Sequence, residues 1–190
     1  MTGIILAGGK NSRMGTNKAF LEIGGTRLID RTILLLKEIF EEIIVVANSP
    51  LQYSEHGVTV VTDFFKDSGP LSGIYSGLFF SANSHAFVCP CDMPFLDGRL
   101  IEYMVKFTAD YDILVPYVGN GYYQPLHAIY GKRCLTIAKK MLEKGNMKIA
   151  DMYKALNVLL ITPNVIDLFD PSRRMFININ THEDVNNILN

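Results

Sequence analysis

The chain has 190 residues, of which 48% are hydrophobic and 19% are charged, and its formal net charge at pH 7 is -1. This length and composition predict one globular domain over residues 1–190. A nearly neutral chain without a basic block gives no electrostatic basis for binding nucleic acid or an anionic membrane. No apolar run approaches the roughly 20 residues of a membrane span, and the N-terminus does not resemble a secretory leader, so we expect a cytoplasmic protein.

Short aliphatic runs alternate with amphipathic segments along the first two thirds of the chain. This alternation predicts an α/β, Rossmann-like fold in which a mostly parallel central sheet carries helices on both faces. The predicted strands are residues 3–6, 43–47, 58–62, 86–89 and 113–115. The predicted helices are residues 27–40, 71–80 and 99–107. In such a sheet, ligands bind outside the carboxyl ends of the strands.

The pattern changes beyond Pro116, where a segment rich in glycine and tyrosine follows. We expect a strand over residues 124–130, a helix over residues 133–143 that ends at Gly145, and strands over residues 158–161 and 176–179. Thr181 and Asp184 favour the start of a final helix over residues 183–189.

The first predicted strand runs into a loop, residues 6–18, that is rich in glycine and basic residues. Glycine permits positive φ and lacks Cβ, so backbone N–H groups can converge on an anion, and Arg13 and Lys18 can neutralise a triphosphate. The spacing excludes both the Walker loop and the GxGxxG fingerprint. An ordinary βα turn is the alternative, and the two basic residues make it less favoured. The loop glycines are Gly8, Gly9 and Gly15.

Two carboxylates follow predicted buried strands at the same edge of the sheet. Asp92 comes after the strand at residues 86–89 and suits a magnesium ion that bridges phosphates. A turn or helix-capping aspartate before Pro94 is the alternative interpretation. Asp63 holds the analogous position after the strand at residues 58–62, and it could bind the nucleotide instead of metal.

Two further segments could contact a ligand. Residues 69–73 form a turn that opens a helix, and the free N–H groups of that turn could contact a base or ribose, although a purely structural helix start fits as well. Asn178 and Asn180 would point to one face of a strand and could together hold a polar ligand, or form a buried amide pair.

Cysteines and histidines form no recognisable metal or nucleophile motif. Cys89 and Cys91 flank a proline without a second pair at zinc spacing, so burial as small hydrophobic residues is favoured for them. With Cys134 as the third cysteine, a disulfide framework is excluded. The four histidines are scattered and show no HExxH spacing.

Taken together, these motifs resemble the molybdenum cofactor guanylyltransferases of the MobA type, within the glycosyltransferase-A-like nucleotidyltransferases. Residues 6–18 resemble the family pattern LAGGxSxRMGxDK, and GPLxG, CDxP, QPLxA and NxNT follow in order at residues 69–73, 91–94, 124–128 and 178–181. The opening motif is specific for the superfamily. Its combination with the later motifs points more narrowly to cofactor guanylylation.

The resemblance implies transfer of GMP from GTP to the terminal phosphate of molybdenum-molybdopterin, with release of pyrophosphate and Mg²⁺ as cofactor. It assigns GTP to the N-terminal part of the domain and the acceptor to the C-terminal part. The expected nucleotide-binding residues are Leu6, Ala7, Gly8, Gly9, Gly15, Lys18, Asp63, Gly69, Pro70, Leu71 and Asp92. The expected catalytic residues are Arg13, Lys18 and Asp92, with Asp92 as metal ligand, and the expected pterin-binding residues are Lys148, Asn178 and Asn180.

The chain departs from the family pattern at a few positions. Asn17 stands where an aspartate is usual before the loop lysine, and His182 stands where a proline follows the closing threonine. Val46 replaces an asparagine found in some members, which Asn48 could compensate. Lys148 alone represents a basic pair that some relatives carry.

Three other functions remain open at this stage. A cytidylyltransferase acting on molybdopterin and a nucleotidyltransferase acting on a sugar or polyol phosphate would share the fold. A non-catalytic nucleotide-binding regulator is a different class, which the presence of Asp92 disfavours. The expected partners are GTP and molybdenum-molybdopterin, with proteins that deliver the cofactor or mature molybdoenzymes as further candidates, and the expected oligomeric state is a monomer.

Overall fold

The computed structural model of the chain describes residues 1–8, 17–179 and 184. Within them the strands are β1 (Thr2–Leu6), β2 (Glu22–Ile23), β3 (Thr26–Arg27), β4 (Glu42–Val46), β5 (Thr59–Val61), β6 (His85–Pro90), β7 (Ile113–Gly119), β8 (Tyr122–Tyr123), β9 (Ala128–Gly131) and β10 (Val158–Ile161). The α-helices are α1 (Leu28–Ile39), α2 (Gly69–Phe80), α3 (Gly98–Val105), α4 (Cys134–Glu143) and α5 (Pro163–Phe169). Short 3-10 helices span Lys18–Phe20, Pro50–His56, Ile149–Ala155 and Arg174–Phe176.

The main sheet has the strand order β10-β7-β9-β6-β1-β4-β5, with β8 added to β7. Its pairs are parallel except for those of β9, which runs antiparallel to both β6 and β7, and that of β8, which runs antiparallel to β7. The small pair β2 and β3 is separate. From β1 the chain proceeds to β4 and β5 on one side and then returns to β6 on the other. The prediction of a mostly parallel α/β sheet is confirmed, and the change of direction beside β1 creates a crevice at the strand ends.

Helices cover both faces of this sheet, as the sequence predicted. Alternate residues of β1 point to opposite faces, so Ile4 packs in the core beneath α2 and α4, and Ile5 packs in the core beneath α1, α3 and α5. Both side chains are fully buried. None of the helices in the described part of the chain combines the length and apolar character needed to cross a membrane.

Helix α2 approaches β1 closely because the two residues that face this strand, Gly73 and Gly77, are glycines. A Cβ atom on Gly77 would lie 2.6 Å from Ile4 Cγ2, and one on Gly73 would lie 2.9 Å from Leu6 Cδ2. The close approach brings the first turn of α2 to the carboxyl end of β1.

The closing segment is not the predicted strand over residues 176–179. Arg174–Phe176 forms a 3-10 turn instead, because Arg173 is left-handed (φ 55°) and the Met175 N–H donates to an oxygen of Asp170. Ile179 then donates its N–H to the Asp92 carbonyl at 2.8 Å. The strand from which we expected Asn178 and Asn180 to point to one face is therefore absent at residues 176–179, and Asn180 lies outside the described part of the chain.

Two other predicted elements differ from the structure. The strand expected over residues 124–130 begins only at Ala128, because His127 donates its N–H to the Gln124 carbonyl in a turn. Helix α5 was not predicted. In the final predicted helix, over residues 183–189, Asp184 is helical, and the other residues lie outside the described part of the chain.

Candidate active site

A cleft of about 480 Å³ opens at the carboxyl ends of β1, β4, β5 and β6. It lies at the change of strand direction, where α/β sheets bind their ligands. Most of the site residues predicted from the sequence that fall in the described part of the chain line it. The lining residues are Leu6, Ala7, Gly8, Asn17, Lys18, Val46, Asn48, Asp63, Asp67, Ser68, Gly69, Pro70, Gly73, Pro90, Cys91, Asp92, Leu126 and Asn178.

Backbone hydrogen bonds continue the sheet one residue beyond β1 and β6. The Ala7 N–H donates to the Val46 carbonyl at 2.9 Å, and the Cys91 N–H donates to the Leu6 carbonyl at 3.1 Å. These bonds place Gly8 and Asp92 on neighbouring strands at the mouth of the cleft. Gly8 does not use the positive φ that glycine permits, and a Cβ there would meet the Asn48 side chain only at 3.8 Å.

Lys18 enters the cleft from the first residue of the 3-10 helix Lys18–Phe20. Asn17 is the N-cap of this helix, and its Oδ1 accepts a hydrogen bond from the Ala19 N–H at 3.1 Å. The departure from the usual aspartate therefore retains a good capping residue. The amide adds what a carboxylate lacks, because its Nδ2 donates to the Tyr53 hydroxyl at 2.9 Å and to Gln52 Oε1 at 3.0 Å.

Asp92 brings an unsatisfied carboxylate oxygen to the cleft. Its Oδ1 is buried and has no hydrogen-bond partner among the described residues. Burial raises the pKa of Asp92, and the nearby charge of Lys18 offsets part of that increase. A buried, unpartnered carboxylate oxygen beside a lysine is suited to a cation that also contacts phosphate.

Asp63 is the second carboxylate of the cleft, and its Oδ1 likewise has no partner among the residues the structure describes. Burial raises its pKa, and hydrogen bonds from Ser76 and Ser72 of α2 partly counteract that effect. The same two hydroxyl oxygens accept the N–H groups of Phe64 and Phe65. The serines thus fix the carboxylate to the start of α2.

The first turn of α2 borders the cleft through Ser68, Gly69 and Pro70. Gly69 requires its glycine, because its φ is 67°. Asp67, with φ 58°, is a left-handed non-glycine residue that also lines the cleft, and we did not identify it from the sequence. Leu71, by contrast, is fully buried in the core and does not line the cleft, so its side chain cannot contact a nucleotide there.

The residues that we expected to bind the acceptor lie only partly at the cleft. Asn178 lines the cleft and is exposed, together with the half-buried Leu126, which the sequence motif contained but our site prediction omitted. Lys148 is exposed at the start of the 3-10 helix Ile149–Ala155 and does not line the cleft. The other predicted site residues, Gly9, Arg13, Gly15 and Asn180, lie outside the described part of the chain.

Comparison with known proteins agrees with this arrangement. Residues 3–157, which include the cleft residues of all four strands, match the family model described as the MobA-like NTP transferase domain. The chain belongs to the MobA-like NTP transferase family.

Individual relatives support the same assignment over nearly the whole chain. A protein of Desulfosudis oleivorans named molybdenum cofactor guanylyltransferase is 37% identical over 187 residues, covering 97% of this chain and 92% of its own. A probable molybdenum cofactor guanylyltransferase of Clostridium perfringens strain SM101 is 39% identical, and the match covers 94% of this chain and 91% of that protein. The crystal structure of molybdopterin-guanine dinucleotide biosynthesis protein A from Archaeoglobus fulgidus superimposes with a TM-score of 0.80 at 26% identity, covering 98% and 96%.

The fold is also shared with more distant nucleotidyl transferases. A nucleotidyl transferase from Methanothermobacter thermautotrophicus has a TM-score of 0.71 at 16% identity, a likeness that concerns the fold alone. The family model and the named relatives show that the chain is a nucleotidyltransferase. The fold alone does not specify which acceptor such an enzyme uses.

Proposed function

We propose that this chain transfers the GMP moiety of GTP to the terminal phosphate of molybdenum-molybdopterin, which yields molybdopterin guanine dinucleotide and pyrophosphate. One observation carries the proposal: a single cleft at the strand ends holds Lys18 together with the unpartnered carboxylate oxygens of Asp63 and Asp92. The choice of guanine and of the pterin acceptor is supported by the names of full-length relatives.

The transfer needs one displacement at phosphorus. A phosphate oxygen of the acceptor attacks the α-phosphorus of GTP in line, and a new P–O bond forms. The bond from that phosphorus to the β-phosphate oxygen breaks, and pyrophosphate leaves with the electron pair. Because the nucleophile is already anionic, alignment and charge neutralisation suffice without a general base, which fits a cleft without histidine among its described lining residues.

On the nucleotide side, we assign the triphosphate to Lys18, the Gly8 N–H and Arg13, and the nucleoside to Asp63 and the first turn of α2. A lysine beside backbone amides stabilises the negative charge that moves to the leaving pyrophosphate. Further nucleotide contacts are proposed for Leu6, Ala7, Gly9, Gly15, Gly69 and Pro70.

Asp92 is the residue that we propose to hold Mg²⁺. The buried oxygen without a partner is a donor that a hard cation satisfies. The described part of the chain contains no cluster of three or more histidine, cysteine or acidic residues that could hold a metal by itself. The remaining ligands would then be phosphate and water oxygens, and the bound ion would supply charge neutralisation on the phosphates.

On the acceptor side, we propose that Asn178 and Asn180 contact the pterin. Asn178 is held at the cleft because the following residue, Ile179, is hydrogen-bonded to the Asp92 carbonyl. Since Lys148 lies outside the cleft lining, its contact with the pterin phosphate requires an acceptor that extends beyond the cleft.

The decisive experiment incubates the protein with molybdenum-molybdopterin, Mg²⁺ and each of GTP, CTP, ATP and UTP, and measures pyrophosphate release and the mass of the dinucleotide product. We expect turnover with GTP, and GTP alone should strongly raise the unfolding temperature. Product formed from CTP but not from GTP would show a cytidylyltransferase. Nucleotide-dependent stabilisation without pyrophosphate release under all four conditions would contradict an enzymatic role.

A further inference from the structure

A buried tyrosine joins the two ends of the segment that leads from β1 to Lys18. The Tyr53 hydroxyl donates to the Ala7 carbonyl at 3.3 Å and accepts from Asn17 Nδ2 at 2.9 Å. Ala7 and Asn17 line the cleft, whereas Tyr53 lies behind them with 1% of its surface exposed. The tyrosine can therefore act on the cleft only through these neighbours.

The bond to Ala7 sets the direction of the next amide. In a planar trans peptide the C=O and N–H groups point in opposite directions. Because the Ala7 carbonyl points to Tyr53, the Gly8 N–H points away from Tyr53. The Ala7 N–H is already bound to the Val46 carbonyl, but no acceptor for the Gly8 N–H is found among the described residues. Gly8 lines the cleft, so its amide is available to an anionic ligand.

The same tyrosine supports the segment that carries Lys18. Its ring stacks on that of Phe20, the last residue of the 3-10 helix, with centroids 5.2 Å apart. At the N-cap of this helix, Asn17 donates its amide to the hydroxyl. Tyr53 thus contacts one residue before Lys18, Asn17, and one residue after it, Phe20.

The helix that carries Tyr53 is linked to the region of α1 by one ion pair and one hydrogen bond. Arg27 contacts Glu55 at 2.6 Å, and His56 contacts Asp30 at 2.8 Å. Both partners of the tyrosine helix lie within three residues of Tyr53. These contacts hold the helix that carries the Tyr53 hydroxyl against the start of α1.

We propose that Tyr53 is a positioning residue for nucleotidyl transfer, whose hydroxyl orients the Gly8 amide toward the triphosphate and, through Asn17, sets the position of Lys18. The inference rests on the proposed function, because it requires a triphosphate in the cleft. It gives a role to Tyr53, a residue that does not line the cleft and for which the sequence predicted no function.

The test is Tyr53→Phe, which removes the hydroxyl and keeps the ring that stacks on Phe20. Losing one well-placed donor to a charged ligand should weaken GTP binding about tenfold. Guanosine has no phosphate, so its affinity should stay at the wild-type value. In turnover, the KM for GTP should rise while the KM for the acceptor does not. Equal weakening of GTP and guanosine, or no weakening of either, would overturn the proposal.

Thr32→Val serves as the matched control. Thr32 is buried in α1, away from the cleft, and its hydroxyl donates to the Leu28 carbonyl at 3.0 Å. This variant also loses a buried hydroxyl-to-carbonyl bond, but it should bind GTP like the wild type. A similar loss of GTP affinity in both variants would mean that Tyr53 acts only through general stability.

Asn17→Ser tests the link to the other end of the segment. Serine retains helix capping, but it is too short to reach the tyrosine hydroxyl. If Asn17 acts through Tyr53, the loss of GTP affinity in the double variant Asn17→Ser/Tyr53→Phe should be smaller than the product of the two single-variant losses. Independent, multiplicative effects would remove Asn17 from the arrangement.

The transfer assay on the wild type distinguishes failure of the proposed function from failure of the positioning role of Tyr53. Absence of GMP transfer by the wild type contradicts the proposed function. Normal transfer by the wild type and unchanged GTP affinity in Tyr53→Phe contradict only the positioning role.

Discussion

Burial raises the pKa of Asp92, and the charge of Lys18, which lines the same cleft, offsets only part of the increase. An aspartate whose pKa rises on folding binds its proton more tightly in the folded state. Above that pKa its ionised form therefore lowers the stability of the folded protein. In the ligand-free cleft, the ionised Asp92 thus makes the folded protein less stable than a neutral side chain at this position would.

Asp92→Asn should abolish Mg²⁺-dependent transfer and at the same time raise the unfolding temperature of the ligand-free protein. The neutral amide oxygen is a much weaker ligand for Mg²⁺ than the carboxylate, but the amide carries no charge to desolvate. Pyrophosphate release and calorimetry in the absence of nucleotide measure the two effects.

Asp97→Asn is the control with the opposite sign. Hydrogen bonding from Arg99 lowers the pKa of Asp97, which also caps α3. That variant should be less stable than the wild type. An active Asp92→Asn variant would contradict the metal role, and a lower unfolding temperature would contradict the cost of burying the charge.

Lys18→Met should weaken GTP binding by roughly 10- to 100-fold, since a charged hydrogen bond to phosphate is lost, and should leave guanosine binding unchanged. Titration calorimetry with both ligands provides the measurement. Lys139→Met, on the exposed face of α4, is the control and should bind GTP normally. If Lys18→Met retains wild-type affinity for GTP, the lysine does not contact the triphosphate.

The sequence predicted that Asp63 and Asp92 meet at one edge of the sheet, because their placement depends only on where the strands end. Each of them lies two residues beyond the end of a strand, β5 and β6, and parallel strands end at one edge of the sheet. The contact between Asn17 and Tyr53 could not be predicted in this way. It joins residues 36 positions apart, and neither hydrophobic periodicity nor motif spacing contains that information.

The conformation of the segment around Asn178 was predicted less well, for a related reason. Alternating residues near Asn178 favoured a strand, but the left-handed turn at Arg173 and the bond from Ile179 to Asp92 determine the conformation. Apolar patterning also detects a strand without its direction. The antiparallel β9 in the middle of a parallel sheet was therefore not foreseen.

Gly77→Ala should destabilise the protein by about 1–3 kcal/mol, as expected for overpacking in a dense core. The new methyl group would lie 2.6 Å from Ile4 Cγ2, an atom of a fully buried side chain in the central strand. Urea unfolding measures the change. Gly73→Ala is the comparison and should cost less, since its nearest neighbour is the end of the Leu6 side chain at 2.9 Å. Equal stability of Gly77→Ala and wild type would show that α2 does not depend on this close approach.

The last prediction concerns His127, which is fully buried between the rings of Phe87 and Phe176 at centroid distances of 5.1 and 5.2 Å. Neither ring nitrogen has a hydrogen-bond partner among the residues described. Burial lowers the pKa of His127 from 6.5 to about 3. Between these values the unfolded chain binds a proton that the folded protein does not, so stability decreases as the pH falls below the unfolded pKa.

At about pH 5 this single residue should lower the free energy of unfolding by roughly 2 kcal/mol relative to neutral pH. His127→Leu, of similar volume, removes the titrating group and should reduce the loss of stability on acidification by that amount. Urea unfolding at the two pH values gives the comparison. Thr32→Val, which removes a buried hydroxyl and no titrating group, is the control and should lose stability on acidification as the wild type does. Equal acid sensitivity of His127→Leu and wild type would mean that another group governs the pH dependence.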